Sequence, residues 1–399
     1  MILFLIIIFS CVALIAYSYL CYPLLLKWLT MGKQPVYMAY EVVDEWPNVF
    51  VLMSAYNEEK VIEKKINSVY HSNYPSERLH VYVGADACSD DTNSILLKAK
   101  NAYPSLQIFL NDKRSGKAGV LNQLINVLPA AKPSDIVIFT DANVLFEKET
   151  ISHLVKYFKE ATIGQVGANI LNYGIEHQGI SRQESYYIQR ENKIKYMEGK
   201  LNGSMIGAFG ACYAIRRNLV IPFPSNILME DFYLSMSVLT SGNKAILAKE
   251  AICKEDLPGQ IQDEFKRKSR ISAGNYQNMN YYASLLFQPF SSVGFCYLSH
   301  KVIRWLTPFL MISMMISLLL LSINNRFIAQ LSLIMVGSIT FLFILDIILE
   351  KAGIHFLILR FIRYFLHMNL ALLNGFFIYI KGVKTNAWTS TKRDDKSVI

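Results

Sequence analysis

From Ile2 to Leu26 the chain carries no charged side chain, and an apolar run of that length crosses the hydrocarbon core of a bilayer as a helix. Residues 1–30 therefore read as an N-terminal transmembrane anchor. From about residue 45 to 280 the pattern changes to short apolar runs separated by stretches of helical periodicity, as in a mostly parallel sheet with crossover helices. The predicted strands are Val49–Ser54, Leu79–Ala85, Leu106–Leu110 and Ile136–Thr140, with helical stretches at Glu58–Ser72 and Lys117–Leu128. In such α/β domains ligands bind at the carboxyl ends of the strands.

Beyond residue 280 long apolar runs return. Phe287–Trp305 mixes apolar residues with His300, Lys301 and Arg304. That mixture suits an interfacial helix over 281–305, with Trp305 as its anchor. Leu306–Ile323 and Ile328–Leu349 read as a transmembrane hairpin (306–349) turning at Asn324-Asn325-Arg326. The segment 353–382 is interfacial or transmembrane: Phe356–Arg363 carries two arginines, and Phe365–Ile380 is apolar but short for a span. The remainder, 383–399, reads as a cytoplasmic tail.

Composition sharpens this picture. Hydrophobic residues make up 52% of the 399 and the net charge is +9, so part of the chain belongs in lipid. The Lys and Arg are scattered, and no basic helix interleaves aromatics, which argues against nucleic acid as a partner. Anionic head groups and a diphosphate ligand account for the positive balance. The six cysteines form no C-x-x-C pair and no zinc spacing. Lys27 and Lys33 follow the first run, and positive charge stays inside. The expected protein is thus an integral membrane protein with its α/β domain cytoplasmic. A cleaved signal peptide fits poorly, lacking a basic n-region and an A-x-A-like site.

Five stretches carry chemistry. Ser54-Ala55-Tyr56-Asn57-Glu58-Glu59 sits where a strand gives way to a helix, a place suited to a nucleotide; Asn57 as a helix cap explains it equally well. Asp86-Ala87-Cys88-Ser89-Asp90-Asp91-Thr92 crowds three acids into one loop, which calls for a donor or a cation, although turn chemistry is an ordinary alternative. Arg114-Ser115-Gly116-Lys117 opens a helix as a competent phosphate site. It lacks the Walker pattern, and no G-x-G-x-x-G follows the first strand, which disfavours P-loop ATPases and dehydrogenases. Asp141-Ala142-Asn143 ends a buried strand with hard oxygen ligands suited to Mg2+ or Mn2+, or serves as a plain turn. Met229-Glu230-Asp231-Phe232 offers a carboxylate base at a helix start, where acids are favoured in any case.

Taken in order, S-A-Y-N-E-E, D-A-C-S-D-D-T, S-G-K-A-G-V-L-N-Q, T-D-A-N, G-A-C-Y-A-I-R-R, E-D and the basic segment Lys266–Gln277 resemble the membrane-bound family 2 glycosyltransferases. That group includes the cellulose, chitin and hyaluronan synthases and bacterial polysaccharide transferases. The resemblance extends to S-H-K-V-I-R-W at 299–305 and N-A-W-T-S-T-K-R at 386–393. It implies a GT-A (Rossmann-like) nucleotide-sugar domain and an inverting, hexosyltransferase-type enzyme. The implied donor is a nucleotide-sugar, a UDP-sugar by the family's habit, and the implied acceptor a glycan or lipid-linked molecule.

By the same resemblance Asp86 would contact the uracil and Ala55, Tyr56 and Glu58 would line the nucleoside. Lys117, Arg267 and Arg270 would meet the diphosphate, and Asp141 with Asn143 would hold the metal. Asp231 would be the base beside Glu230, with Gly210, Ala211 and Cys212 shaping the sugar and acceptor pocket. Two departures stand out. Asn143 replaces the second acid of the D-x-D motif, and Ile271 follows Arg270 where processive synthases place an acceptor-stacking Trp. Polysaccharide synthesis is the first expectation. Single addition to a lipid-linked acceptor and a catalytically silent nucleotide-sugar-binding subunit are the alternatives.

Overall fold

The computed structural model describes residues 1–34, 37–41, 43–173, 181–256, 261–323, 325–354 and 356–383, with the backbone alone at 173, 181 and 261–263. Asn324 and the stretch 386–393 lie outside them. In chain order the elements are helix α1 (Ile2–Leu29), β1 (Val49–Ala55), α2 (Ile62–Tyr70), β2 (Leu79–Asp86), α3 (Thr92–Ala102), β3 (Gln107–Asn111), α4 (Gly116–Asn126), β4 (Ile136–Asp141), β5 (Val144–Phe146), α5 (Thr150–Val155), β6 (Ile163–Tyr173), α6 (Ser181–Lys200), β7 (Cys212–Arg216), α7 (Glu230–Thr240), β8 (Lys244–Asp256) and α8 (Ile261–Tyr281). Three long helices follow: α9 (Ser292–Ile323), α10 (Arg326–Lys351) and α11 (Leu357–Ile380).

Among the described residues one eight-stranded sheet runs β3-β2-β1-β4-β7-β6-β8-β5. The four N-terminal strands are mutually parallel, and β7 joins antiparallel to β4 and β6. All four strands expected from the sequence are present. β1 is a near-continuous apolar run because both of its faces are covered. Its alternation divides the core. Val49, Val51, Met53 and Ala55 pack with Ile62, Ile66 and Leu96 of α2 and α3, whereas Phe50 and Leu52 pack with Val120, Leu121 and Leu124 of α4.

The second core continues into α9 through Tyr297, Val302 and Trp305. This corrects the expectation for Trp305. It is only 6% exposed and packs edge-on against Phe232 of α7 with ring centroids 5.4 Å apart. An indole that finds an aromatic core gains more by burial there than at a lipid surface. No break falls at residue 305, because α9 runs unbroken from Ser292 through a π-helical turn at Tyr297–Val302.

Among the described residues four helices, α1, α9, α10 and α11, are long and apolar enough to cross a membrane. α11 packs against α8. A Cβ on Gly375 would come 2.3 Å from the Ser272 Cβ, so only glycine permits the approach, and Ser272 Oγ donates to the Leu372 carbonyl at 2.8 Å.

Candidate active site

The strand order reverses between β1 and β4, with β2 and β3 on one side and β4 on the other. That reversal opens a crevice at the carboxyl ends of the two strands. Register sets Ser54 beside Asp141 at its lip. The loops leaving β1 and β2 each contain a residue in the left-handed region, Asn57 and Ala87, both at φ 54°. For alanine that conformation costs about 1 kcal/mol or more.

The two loops are zipped together. Ser89 N donates to Asn57 Oδ1 at 2.9 Å, Glu58 N to Thr92 Oγ1 at 2.8 Å, Glu59 N to Asp90 Oδ2 and Asp91 N to Glu59 Oε2, both at 3.1 Å. Thus Asn57 caps no helix. The acids Glu59 and Asp90 find backbone donors in each other's loop, which relieves their repulsion without a ligand.

Asp86 departs from its expected place. It is 2% exposed and accepts from Ser115 N at 2.7 Å, Gly116 N at 3.0 Å and Arg114 Nε at 3.0 Å. The amides at the head of α4, offered by the sequence to a phosphate, are taken by this carboxylate. Arg114, so anchored, stacks 3.2 Å over the Tyr56 ring. Asp86 thereby fixes the wall on which Tyr56 stands.

At the crevice floor Lys117 bridges two carboxylates, Asp141 Oδ1 at 2.7 Å and Glu230 Oε1 at 2.6 Å. Burial works against its charge, but Asp141 and then Glu230 outweigh that and hold the ammonium above its ordinary value. Asp231 is the next residue on α7. Burial, then the neighbouring Glu230 charge, raises its carboxyl to about 6 against the pull of Lys117. One Asp231 oxygen accepts from the Phe232 amide at 2.8 Å, and the other faces Gly210 so closely that a Cβ there would lie 2.7 Å from it.

A cavity of about 570 Å³ runs from Tyr56, Glu58 and Asp141 past Asp231 to side chains of α6, α9 and α11. Arg270 lines it. Burial lowers the Arg270 pKa while Glu230 and Asp141 push it back up, and a guanidinium stays charged regardless. Arg267 also lines the cavity, tied to Glu184 and Glu264 at 2.9 Å each. Lys268 joins the same Glu184 oxygen at 2.8 Å, and Tyr364 of α11 donates its hydroxyl to the other.

Of the residues singled out from the sequence, Tyr56, Glu58, Lys117, Asp141, Asn143, Gly210, Ala211, Glu230, Asp231, Arg267 and Arg270 all line this one cavity. Ala55, Asp86 and Cys212 do not. Ala55 and Cys212 are fully buried in the sheet, because their strand positions point into the core.

Comparison with known proteins now adds to this geometry. Residues 47–274 match the family described as "Glycosyltransferase like family 2", more than half of the chain. The chain belongs to glycosyltransferase family 2. Residues 181–380 also match "Glycosyl transferase family group 2". This family 2 glycosyltransferase is 26% identical to a beta-monoglucosyldiacylglycerol synthase of Synechocystis over 61% of its own length and 51% of that protein's. It is 30% identical to the probable glycosyltransferase YdaM of Bacillus subtilis over 59% and 57% respectively. The chain spans about half the length of these relatives. Among solved structures, a mannosyltransferase of Pyrobaculum calidifontis in complex with GDP-Man and Mn2+ shares its fold with TM-score 0.67 at 20% identity, covering 94% of this chain and 99% of that one. The GT-A fold is therefore established for the glycosyltransferase.

Its donor set for a metal is sparse. Asp141 and Asn143 line the cavity, and among the described residues no group of three His, Cys, Asp or Glu could hold an ion. One carboxylate and one amide oxygen fit an ion whose remaining ligands come from a diphosphate, as Mg2+ sites commonly do.

Sequence reading missed the helix-borne end of the cavity. Glu191 of α6 lies 3.0 Å from His300 Nε2 and accepts from Lys301 at 2.8 Å and Arg304 at 2.7 Å. Burial opposes its charge, yet His300 and Lys301 outweigh that and hold the carboxyl well below its usual range. A usable signal existed: Glu184, Glu191, Lys195 and Glu198 fall at helical spacing on one face of α6.

Proposed function

We propose that this glycosyltransferase transfers one sugar, with inversion, from a nucleoside-diphosphate-sugar to a lipid-linked acceptor at the cytoplasmic membrane face. The observation that carries it is the continuity of the cavity, from Asp141 at the strand ends past Asp231 to Phe361, Phe365 and Met368 of the apolar α11. A water-soluble acceptor has no use for such a wall. The Synechocystis relative's name, a glucosyldiacylglycerol synthase, supports the same acceptor class. Polymer synthesis is favoured less, since Ile271 stands where an acceptor-stacking Trp would. The cytoplasmic placement rests on Lys27 and Lys33 beside the first helix.

In this reading the diphosphate lies along the strand ends beside Lys117, Asp141 and Arg270. Asp231 takes the proton from the acceptor hydroxyl as its oxygen attacks the anomeric carbon. The bond from that carbon to the diphosphate oxygen breaks on the opposite face, and the nucleoside diphosphate departs with the electron pair. Lys117 and Arg270 stabilise the charge that develops there, the largest contribution expected in a site of this kind. A divalent ion held by Asp141 and Asn143 with the diphosphate would add further charge neutralisation. The Pyrobaculum neighbour's Mn2+ supports that expectation, and its GDP-Man leaves the nucleobase, expected to be uracil, to experiment.

The test is nucleotide release by the purified full chain from a panel of UDP- and GDP-sugars, with and without Mn2+, in the presence of membrane lipid. Release with one lipid-soluble product band supports the proposal. A ladder of products would establish polymerisation, and donor binding without release would make the chain a silent binding subunit.

A further inference from the structure

The membrane-side end of the cavity carries more positive charge than its carboxylates balance. Arg190, Lys195, Lys301 and Arg304 all line it, with Glu191 among them. Glu191 is already shared by Lys301, Arg304 and His300. Behind it the fully buried Glu198 is spent on Tyr22 Oη at 2.8 Å, His300 Nδ1 at 2.7 Å and the Ile206 amide at 3.1 Å.

Lys195, 3% exposed, donates among the described residues to the carbonyls of Ile206 and Gly207, and Arg190 donates to that of Tyr19. The Nε of Arg304, a residue 9% exposed, has no hydrogen-bond partner among the described residues. Burial and then the nearby Lys301 charge push Lys195 down to about 7. Four basic side chains gather around Glu191, with Glu198 buried behind it and the Asp231 charge near Lys195, an arrangement that an anion would stabilise by holding Lys195 charged.

We propose that this end of the cavity is a phosphate subsite for the acceptor: the phosphate of an amphiphile rests among Arg190, Lys195, Lys301 and Arg304 while its hydroxyl reaches Asp231. The proposal deepens the glycosyltransferase reading above and rests on it for the role of Asp231. Three features make the phosphate that of a lipid. The cations sit on α6 and α9, the cavity wall beside them is Phe361, Phe365 and Met368 of α11, and both α9 and α11 are long and apolar enough to cross a membrane. An anionic head group at the cations leaves its chain against α11. A neutral glycerolipid, the class named in the Synechocystis relative, would leave this charge unanswered.

The full chain in detergent is titrated with a fluorescent lysophosphatidate and with the monoacylglycerol of the same chain, with inorganic phosphate as competitor. The expected result is binding of the phosphate lipid about tenfold or more tighter than the neutral one. That preference should shrink towards equality in Lys195→Gln and in Lys301→Gln, the latter at the more accessible rim. Equal binding of the two lipids by the wild-type chain overturns the proposal without any variant, as does a preference that survives in both variants. Displacement by inorganic phosphate at the lipid's own concentration would assign the subsite to free phosphate and overturn the lipid assignment. Donor turnover measured on the same sample keeps the two readings apart. Turnover with equal lipid binding sinks this subsite alone, and lipid preference without turnover sinks the transferase reading alone.

Discussion

The two ends of the cavity are built differently. At the strand ends, Lys117, Asp141, Glu230 and Asp231 are delivered by termini of β4, α4 and α7, each close to a turn of the sheet. At the membrane side, Glu184 and Glu191 of α6 are tied to partners on α8, α9 and α11 by ion pairs and hydrogen bonds between helices. Hydrogen-bonded strands position the first end through the backbone. The second depends on buried charges, where removing one partner costs about 3–5 kcal/mol. In the proposed function, chemistry and acceptor recognition thereby fall on frameworks that different mutations disturb.

The largest effect separating the two ends should come from Asp231→Asn. Transfer falls by about 10⁴-fold, the upper range for a positioned base, with nucleotide affinity by calorimetry unchanged. Lys117→Met removes the ammonium that Asp141 and Glu230 share, and kcat falls by about 10³-fold, here with weaker nucleotide binding. Gly210→Ala crowds the Asp231 oxygen that a Cβ would approach to 2.7 Å; kcat falls by about 10²-fold while the fold, by circular dichroism, is kept.

Glu184→Gln acts on the helix side. Arg267, Lys268 and Tyr364 lose a shared acceptor, and the melting temperature falls while transfer below that temperature suffers less than in the three preceding variants. The smallest effect is on pH. Asp231 must be unprotonated to act, and its carboxyl sits at about 6. The kcat/KM profile should therefore fall as pH drops through that value. Because Glu230 helps to raise it, Glu230→Gln moves the acid limb to lower pH. A limb that moves upward would break the assignment.

Legibility in the sequence follows the same division. The strands were readable because β1, β2 and β4 are apolar runs bounded by polar loops. That Lys117, Asp141 and Asp231 share one cavity was readable because strand ends and helix starts are where an α/β sheet presents side chains. The bonds of Asp86 to Arg114, Ser115 and Gly116 were not readable because those partners lie on the next crossover, so the competition between those amides and a ligand is invisible in a linear pattern. Trp305 was misplaced because an aromatic at the end of an apolar helix has the same local pattern whether lipid or Phe232 meets it. The α6 carboxylates were passed over because their partners lie 80 or more residues away.

In the proposed function one cavity joins a nucleotide-sugar at the strand ends to a membrane-borne acceptor at the helices. This link is tested most directly by supplying radiolabelled nucleotide-sugar to the purified full chain with extracted membrane lipid, then partitioning the products. Label is expected in the organic phase, and is absent when Asp231→Asn replaces the wild type. Label released only as free sugar in water, or equal organic label from both proteins, would contradict it.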